Sequence, residues 1–330
     1  MSRIFKSFCL ILLLAILAAG LLAGRFMLTP VTPPPATVFS VRHGEPFVSI
    51  ARRLETAGIV ADARALRLLA RWRDAAGRIQ AGTYAFSAPA TPQVVLDRLV
   101  KGDVLHTLVT IPEGWTQREI AARLEEKGLA KRSEILQLAG DPDFLHELQI
   151  PATSLEGYLF PETYSIASGA SPRQILTMMV EEFRQRLTPD MVRSAKEEGF
   201  TVHQLVTLAS IVQKETGNAK EMPLIAAVFR NRLRRHMPLQ SDPTVIYGIA
   251  DFNGNLTRAD LERKTPYNTY RIAGLPPGPI ASPGSAALEA VAHPADVAYL
   301  YFVARGDGSH AFSATLAEHN RAVRRYQLHR

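Results

Sequence analysis

The chain is 330 residues long and 47% apolar, enough for an extensive core and for two domains. Its 38 Lys and Arg against 31 Asp and Glu leave a net charge of +7, and Arg3, Lys6 and Arg25 supply part of it before residue 38; the rest lacks the dense basic stripe of a nucleic-acid binder, so no nucleic-acid partner is expected. The one cysteine, Cys9, lies in an apolar run and excludes an intrachain disulfide, a cysteine-based metal cluster and a cysteine nucleophile in a soluble domain.

Residues 7–24 carry no charge, and about 18 residues at roughly 1.5 Å rise nearly match a ~30 Å hydrocarbon core. The expectation is a single transmembrane helix over residues 7–26. Arg3 and Lys6 precede it and only Arg25 follows closely, which places residues 1–6 in the cytoplasm and the body outside, anchored to the inner membrane. A cleaved signal peptide is the alternative, because Ala18, Ala19 and Gly20 are small; Leu21 and Leu22 continue the apolar run beyond them. Residues 27–37 contain Pro30, Pro33, Pro34 and Pro35 and read as an extended, semi-rigid spacer.

An internal repeat follows. Residues 41–60 laid on 111–130, a shift of 70, bring Gly44/Gly114, Ile50/Ile120, Ala51/Ala121, Leu54/Leu124 and Gly58/Gly128 into coincidence. Each copy predicts a short strand, a turn at the first glycine, and an amphipathic helix ended by the second glycine. Two small α/β units, 38–105 and 106–150, are expected, with Asp62 as a helix N-cap and residues 82–86 as a strand between the copies. The glycine and apolar spacing is similar to that of LysM modules. Trp115 is either a sugar-stacking ring or a residue packing the helix that follows it.

From about Pro151 the texture changes to helices near 171–186, 202–215 and 221–235, then Gly- and Pro-rich loops and a strand near 299–303. The class is α+β, with residues 151–330 as a mixed catalytic domain. No HExxH, GxxxxGK[ST], GxGxxG after a strand, or GxSxG occurs, so metalloprotease, nucleotide and serine-hydrolase chemistry lack a handle; no cofactor and no metal are expected.

Carboxylate chemistry remains. In HQLVTLASIVQKETG, Leu205, Leu208, Ala209 and Val212 form an apolar stripe, and at ~100° per residue Glu215 lies within roughly 20–40° of Leu208 and Ile211. A carboxyl there is either partly desolvated, with a raised pKa suited to a general acid, or a helix-end glutamate turned to solvent beside Lys214. LQSDPTVIYG and TPYNTYRIAGLPPGPIASPG offer Asp242, Thr244, Tyr247, Tyr267, Asn268 and Tyr270, the mixture of hydroxyl, amide and aromatic groups that binds sugars, or else an ordinary set of turn and core residues. LEGYLFPETY adds Glu156 and Glu162.

LEGYLFPETY, LASIVQKE, FRNRL, LQSDPTVIYG, YNTY, GLPPGPIASPG, ALEAVAHP and YLYFVA stand in the order seen in the endolytic murein transglycosylases, and from about residue 40 onward the chain resembles this MltG or YceG-like family. The resemblance implies a lyase that cuts peptidoglycan strands internally, between N-acetylmuramic acid and N-acetylglucosamine, leaving 1,6-anhydro-muramyl ends. It implies one catalytic glutamate at the position of Glu215, acting first as acid and then as base. Gln213 stands where many relatives have another glutamate. Asp242, Thr244, Tyr247, Tyr267, Asn268 and Tyr270 are expected to line the groove, with Glu162 a reserve carboxylate. Two alternatives carry over: a muramidase-type hydrolase using water and a second carboxylate, and a non-catalytic wall-binding scaffold. Penicillin-binding synthases are candidate partners, although no docking motif is visible, and the basic tail of Arg321, Arg324, Arg325 and Arg330 reads as a solvated helix face.

Overall fold

The computed structural model describes residues 3–328. It divides into two compact units, one running to Thr107 and including Ser165–Ala170, the other comprising Leu108–Tyr164 and the chain from Ser171 onward. Arg330 of the basic tail, and the first two residues of the expected cytoplasmic segment 1–6, lie outside the described residues.

The first unit contains helix α1 (Arg3–Leu28), strand β1 (Thr37–Val41), helices α2 (Phe47–Thr56) and α3 (Ala63–Trp72), strand β2 (Gly82–Phe86) and helix α4 (Pro92–Lys101). Strands β1 and β2 pair antiparallel, Thr37 opposite Phe86 and Val41 opposite Gly82. Asp62 caps α3 by accepting from the amides of Arg64 and Ala65, and Thr91 caps α4 through Val94. Ile50, Leu54, Leu66, Leu96 and Leu99 are fully buried together with Tyr84 and Phe86.

The expected membrane span is overturned. Residues 7–26 do fall within a helix, but among the described residues no helix is long and apolar enough to cross a membrane. The helix runs past the uncharged stretch and takes Arg25 into its last turn, while Phe26 and Met27 are partly buried against the core of this unit. The single-pass anchor falls with that span, and the inner-membrane placement loses the helix it was read from. Nor does the proline-rich segment stand free. Val31 exchanges backbone hydrogen bonds with Ala90 at 2.9 and 3.0 Å, and Pro33 is buried.

Strand β3 (His106–Thr110) pairs with β4 (Thr163–Ala167). Between them come helices α5 (Gln117–Glu126), α6 (Arg132–Ala139) and α7 (Pro142–Glu147). The two repeat copies follow one course, strand, left-handed glycine, then helix: Gly44 and Gly114 have φ +73° and +76°, Gly58 and Gly128 close their helices at +68° and +67°, and Ile50, Ala51 and Leu54 are buried as are Ile120, Ala121 and Leu124. That shared course is a property of the local sequence and does not by itself make either unit a LysM module.

The second unit continues with α8 (Pro172–Arg186), α9 (Pro189–Glu197), α10 (Val202–Glu215), α11 (Met222–Arg234), α12 (Asp242–Tyr247), α13 (Arg258–Glu262), α14 (Ser285–Ala292), the hairpin β5 (Tyr301–Ala304) and β6 (His310–Ser313), and α15 (Leu316–Val323). The mixed α+β class holds. Helix α10 is buried all round from Leu205 to Val212, because α14 packs against both it and α11. Ser210 on α10 receives the amide of Ile280 at 3.0 Å, which ties the segment holding Pro276, Pro277 and Pro279 to the helix. Gly157 allows a second close approach there: it sits at φ +83°, and a Cβ would lie 2.4 Å from the Cβ of Pro279. Gly157→Ala therefore combines left-handed strain with overpacking and is expected to destabilise the protein by ~2–4 kcal/mol, measured as a lowered urea midpoint with unchanged slope.

Candidate active site

Glu215 is the last residue of α10. Thr201 and Gln204 start this helix with a reciprocal capping box, and the eight buried residues that follow carry the register to its end. The carboxyl is half-buried, and its Oε1 accepts a hydrogen bond from Ser241 Oγ at 2.5 Å. Burial pushes Glu215 up to about 7, reinforced by the nearby Asp242; the Ser241 hydroxyl and His310 act in the opposite sense. Of the two readings left open by helix geometry, the desolvated one describes the structure: Lys214 turns away and donates to the Gly114 carbonyl at 3.2 Å.

Ser241 is held from three sides. Its amide donates to Thr269 Oγ1 at 3.0 Å, its carbonyl accepts from Thr244 Oγ1 at 2.6 Å, and the two threonine hydroxyls are 2.8 Å apart. Before it, Gln240 adopts φ +55°. The buried guanidinium of Arg232 fixes that turn, donating to the carbonyls of Pro238, Leu239 and Leu300 at 3.1, 2.9 and 2.7 Å and to Gln240 Oε1 at 3.1 Å. After it, Asp242 opens α12 and accepts from Tyr270 Oη at 2.7 Å.

Glu215, Asp242, Tyr270, Gln240 and Arg232 line a cleft of about 410 Å³, closed on another side by His310 and Phe302 of the β5–β6 hairpin and by His319. The arrangement offers a protonated carboxyl, an acidic group with a phenol attached, and ring nitrogens, which suits proton transfer to a polar ligand with many hydroxyls.

The other expected residues are placed differently. Thr244 is fully buried in the threonine network just described. Asn268 is fully buried too, its amide donating to the carbonyls of Leu261 and Arg263 at 3.1 and 2.6 Å while its Oδ1 accepts the Tyr270 amide at 2.9 Å; it shapes the loop that delivers Tyr270. Tyr247 and Tyr267 form a tilted ring pair 4.8 Å apart that does not line the cleft. Tyr247 donates to Glu156 Oε2 at 3.1 Å, and Glu156 Oε1 accepts the Gln117 amide at 2.9 Å. Glu156 is only 3% exposed, and burial raises it to about 7. Glu162 is exposed and paired with Arg186 at 3.0 Å, outside the cleft. Gln213 Oε1 accepts the Gly284 amide at 3.0 Å, and the Arg123 guanidinium covers the half-buried Trp115 ring at 5.1 Å. Sequence reasoning missed Ser241, Arg232 and His310 as site residues, although the first two stand inside the quoted LQSDPTVIYG and FRNRL segments.

The sequence model of the YceG-like family matches residues 39–325. The chain belongs to the YceG-like family. Among its relatives, an endolytic murein transglycosylase of Bacillus subtilis (strain 168) is 31% identical over 333 residues, spanning 94% of this chain and 91% of that protein. The endolytic murein transglycosylase of Streptococcus pneumoniae serotype 2 is 32% identical over 349 residues, and there the match spans 94% of this chain but 63% of the relative. The crystal structure of a yceG-like protein from Listeria monocytogenes superposes with a TM-score of 0.60 at 30% identity, over 86% of this chain and 98% of that one. The match therefore takes in the cleft residues from Glu215 on α10 through His310 on β6 to His319 on α15.

Both raised carboxyls bind their proton more tightly in the folded than in the unfolded chain, so the stability they confer is complete below the ordinary carboxyl value of 4.5 and is lost as pH rises through about 7. The melting temperature of this YceG-like protein is expected to fall between those limits, and Glu156→Gln to make the fall shallower; calorimetry across that pH range checks it.

Proposed function

We propose that the protein is an endolytic murein transglycosylase, a lyase that cuts glycan strands between N-acetylmuramic acid and N-acetylglucosamine and leaves 1,6-anhydro-muramyl ends. The observation that carries this reading is Glu215: a carboxyl that desolvation keeps protonated up to about 7, oriented by Ser241, on the wall of a polar cleft. The family membership and the names of the relatives support it. Because murein lies outside the cytoplasmic membrane, the site of action is extracytoplasmic.

Glu215 donates its proton to the glycosidic oxygen as the bond from C1 breaks. Its carboxylate then faces the positive charge that develops at C1 and stabilises it in a partly dehydrated setting. The nucleophile is the muramyl 6-hydroxyl of the substrate itself, for which intramolecular attack supplies a high effective concentration. Closure requires an acceptor for the hydroxyl hydrogen, and the discharged Glu215 carboxylate is one. Asp242 and Tyr270, joined at 2.7 Å, border the same space and position the sugars. The conversion of carboxyl to carboxylate sets the upper pH limit: activity declines as pH rises through about 7.

Asp242 also gives a specific footing to the hydrolase alternative, since it is a second carboxylate on the cleft wall. Mass spectrometry of muropeptides released from purified peptidoglycan separates the two. Glu215→Gln is expected to lower turnover by at least ~10²-fold and to remove the internal anhydro-muramyl ends made by the unaltered protein. Reducing ends in place of anhydro ends, with Asp242→Asn as damaging as Glu215→Gln, would assign the hydrolase.

A further inference from the structure

Glu221 stands at the N-terminus of α11 and turns both carboxylate oxygens to one residue. Its Oε1 accepts the backbone amide of His310 at 3.0 Å, and its Oε2 meets His310 Nδ1 at 2.7 Å. The two side chains are 12% and 11% exposed. His310 opens β6 opposite Ala304 of β5, and its ring stands at 88° to that of Phe302 with centroids 5.4 Å apart. A carboxylate only accepts hydrogen bonds, so in the neutral imidazole Nδ1 carries the hydrogen and Nε2 keeps the lone pair. His310 lines the cleft that holds Glu215, close enough for its charge to act on that carboxyl. A histidine oriented through Nδ1 by a buried carboxylate, beside a carboxyl that stays protonated, is a base paired with an acid.

Glu215 can act as the base only in a stepwise closure, after it has given up its proton. While it still holds its proton it cannot accept another, so a concerted ring closure needs a base present from the start. We propose that His310 is that base, with Glu221 as its positioning residue; the inference rests on the transglycosylase reading. As O6 of the muramyl residue attacks C1, the O6 hydrogen passes to His310 Nε2 and the O6–C1 bond forms. The bond from C1 to the glycosidic oxygen breaks, its electron pair stays on that oxygen, and the Glu215 proton moves there. The imidazolium that results is paired with Glu221 and returns its proton to the Glu215 carboxylate through solvent. Nothing is oxidised or reduced.

The test is the pH dependence of turnover by the full chain on purified glycan strands, measured alongside the titration of His310 by imidazole NMR. The other titratable groups bordering this space are Glu215, Asp242, Arg232, Tyr270 and His319, with Glu221 behind the ring. A bell is expected, rising as His310 becomes neutral and falling as Glu215 ionises. His310→Gln is expected to lower kcat by ~10²-fold with KM little changed and to erase the acid-side limb. Glu221→Gln, which removes the counter-charge of the imidazolium, is expected to move that limb to lower pH and to cost less than His310→Gln. The double variant is expected to be no slower than His310→Gln alone. An acid-side limb that does not coincide with the NMR titration overturns the proposal without recourse to any variant. So does a folded His310→Gln protein within ~2-fold of normal turnover, far short of what a general base contributes. If Glu215→Gln is inactive while His310→Gln is normal, this inference alone falls; if Glu215→Gln stays active, the function proposed above falls, and absence of cleavage by the unaltered chain overturns both.

Discussion

A carboxyl group at the end of an apolar helix is the constraint on which the rest of the site depends. Helix α10 is buried from Leu205 to Val212, and Glu215 at its end is half-buried on the cleft wall. Burial alone would leave the Glu215 carboxyl short of partners, which is costly for any polar group. The Ser241 hydroxyl supplies one at 2.5 Å, and a single neutral donor satisfies an oxygen without forcing ionisation in the way an arginine would. The raised pKa and the fixed orientation thus have one origin.

That origin explains why so much structure converges on the segment before α12. Ser241 must be held at hydrogen-bonding distance from a helix that ends 26 residues earlier in the chain. Thr269 and Thr244 hold its backbone, and Arg232 holds the left-handed turn at Gln240 by filling its donors with carbonyl oxygens. A guanidinium buried among four acceptors and under the Tyr301 ring loses much of its hydration, and burial lowers its pKa accordingly. Its side chain also joins the two walls: through Leu300 it is bonded to the approach to β5, the strand whose partner carries His310.

Local order was legible in the sequence where one interaction decides it. The boundaries of α10, the Asp62 cap, the β2 strand and the strand–glycine–helix course of both repeat copies follow from periodicity, capping and left-handed glycines. Hydropathy over residues 7–26 was a poorer guide, because composition does not say what an apolar side chain packs against, and at the end of that stretch Phe26 packs against the protein core. Composition misled for the same reason at Thr244 and Asn268. Hydroxyl and amide groups that bind a sugar are the same groups that satisfy buried backbone, and here they do the second. His310 gave no local signal at all; it enters the cleft through the register of a hairpin formed near the far end of the chain.

The two raised carboxyls show why an elevated pKa does not define a site by itself. Glu156 and Glu215 are both pushed to about 7 by desolvation. Glu156 spends both oxygens on internal partners, the Gln117 amide and the Tyr247 hydroxyl, and so joins the start of α5 to the end of α12. A group so enclosed has no path by which its proton reaches a polymer. Glu215 has one named partner and borders open space. The desolvation that raises the pKa is common to both, and a place on the cleft wall is what separates an acid available to a substrate from one that only ties the fold together.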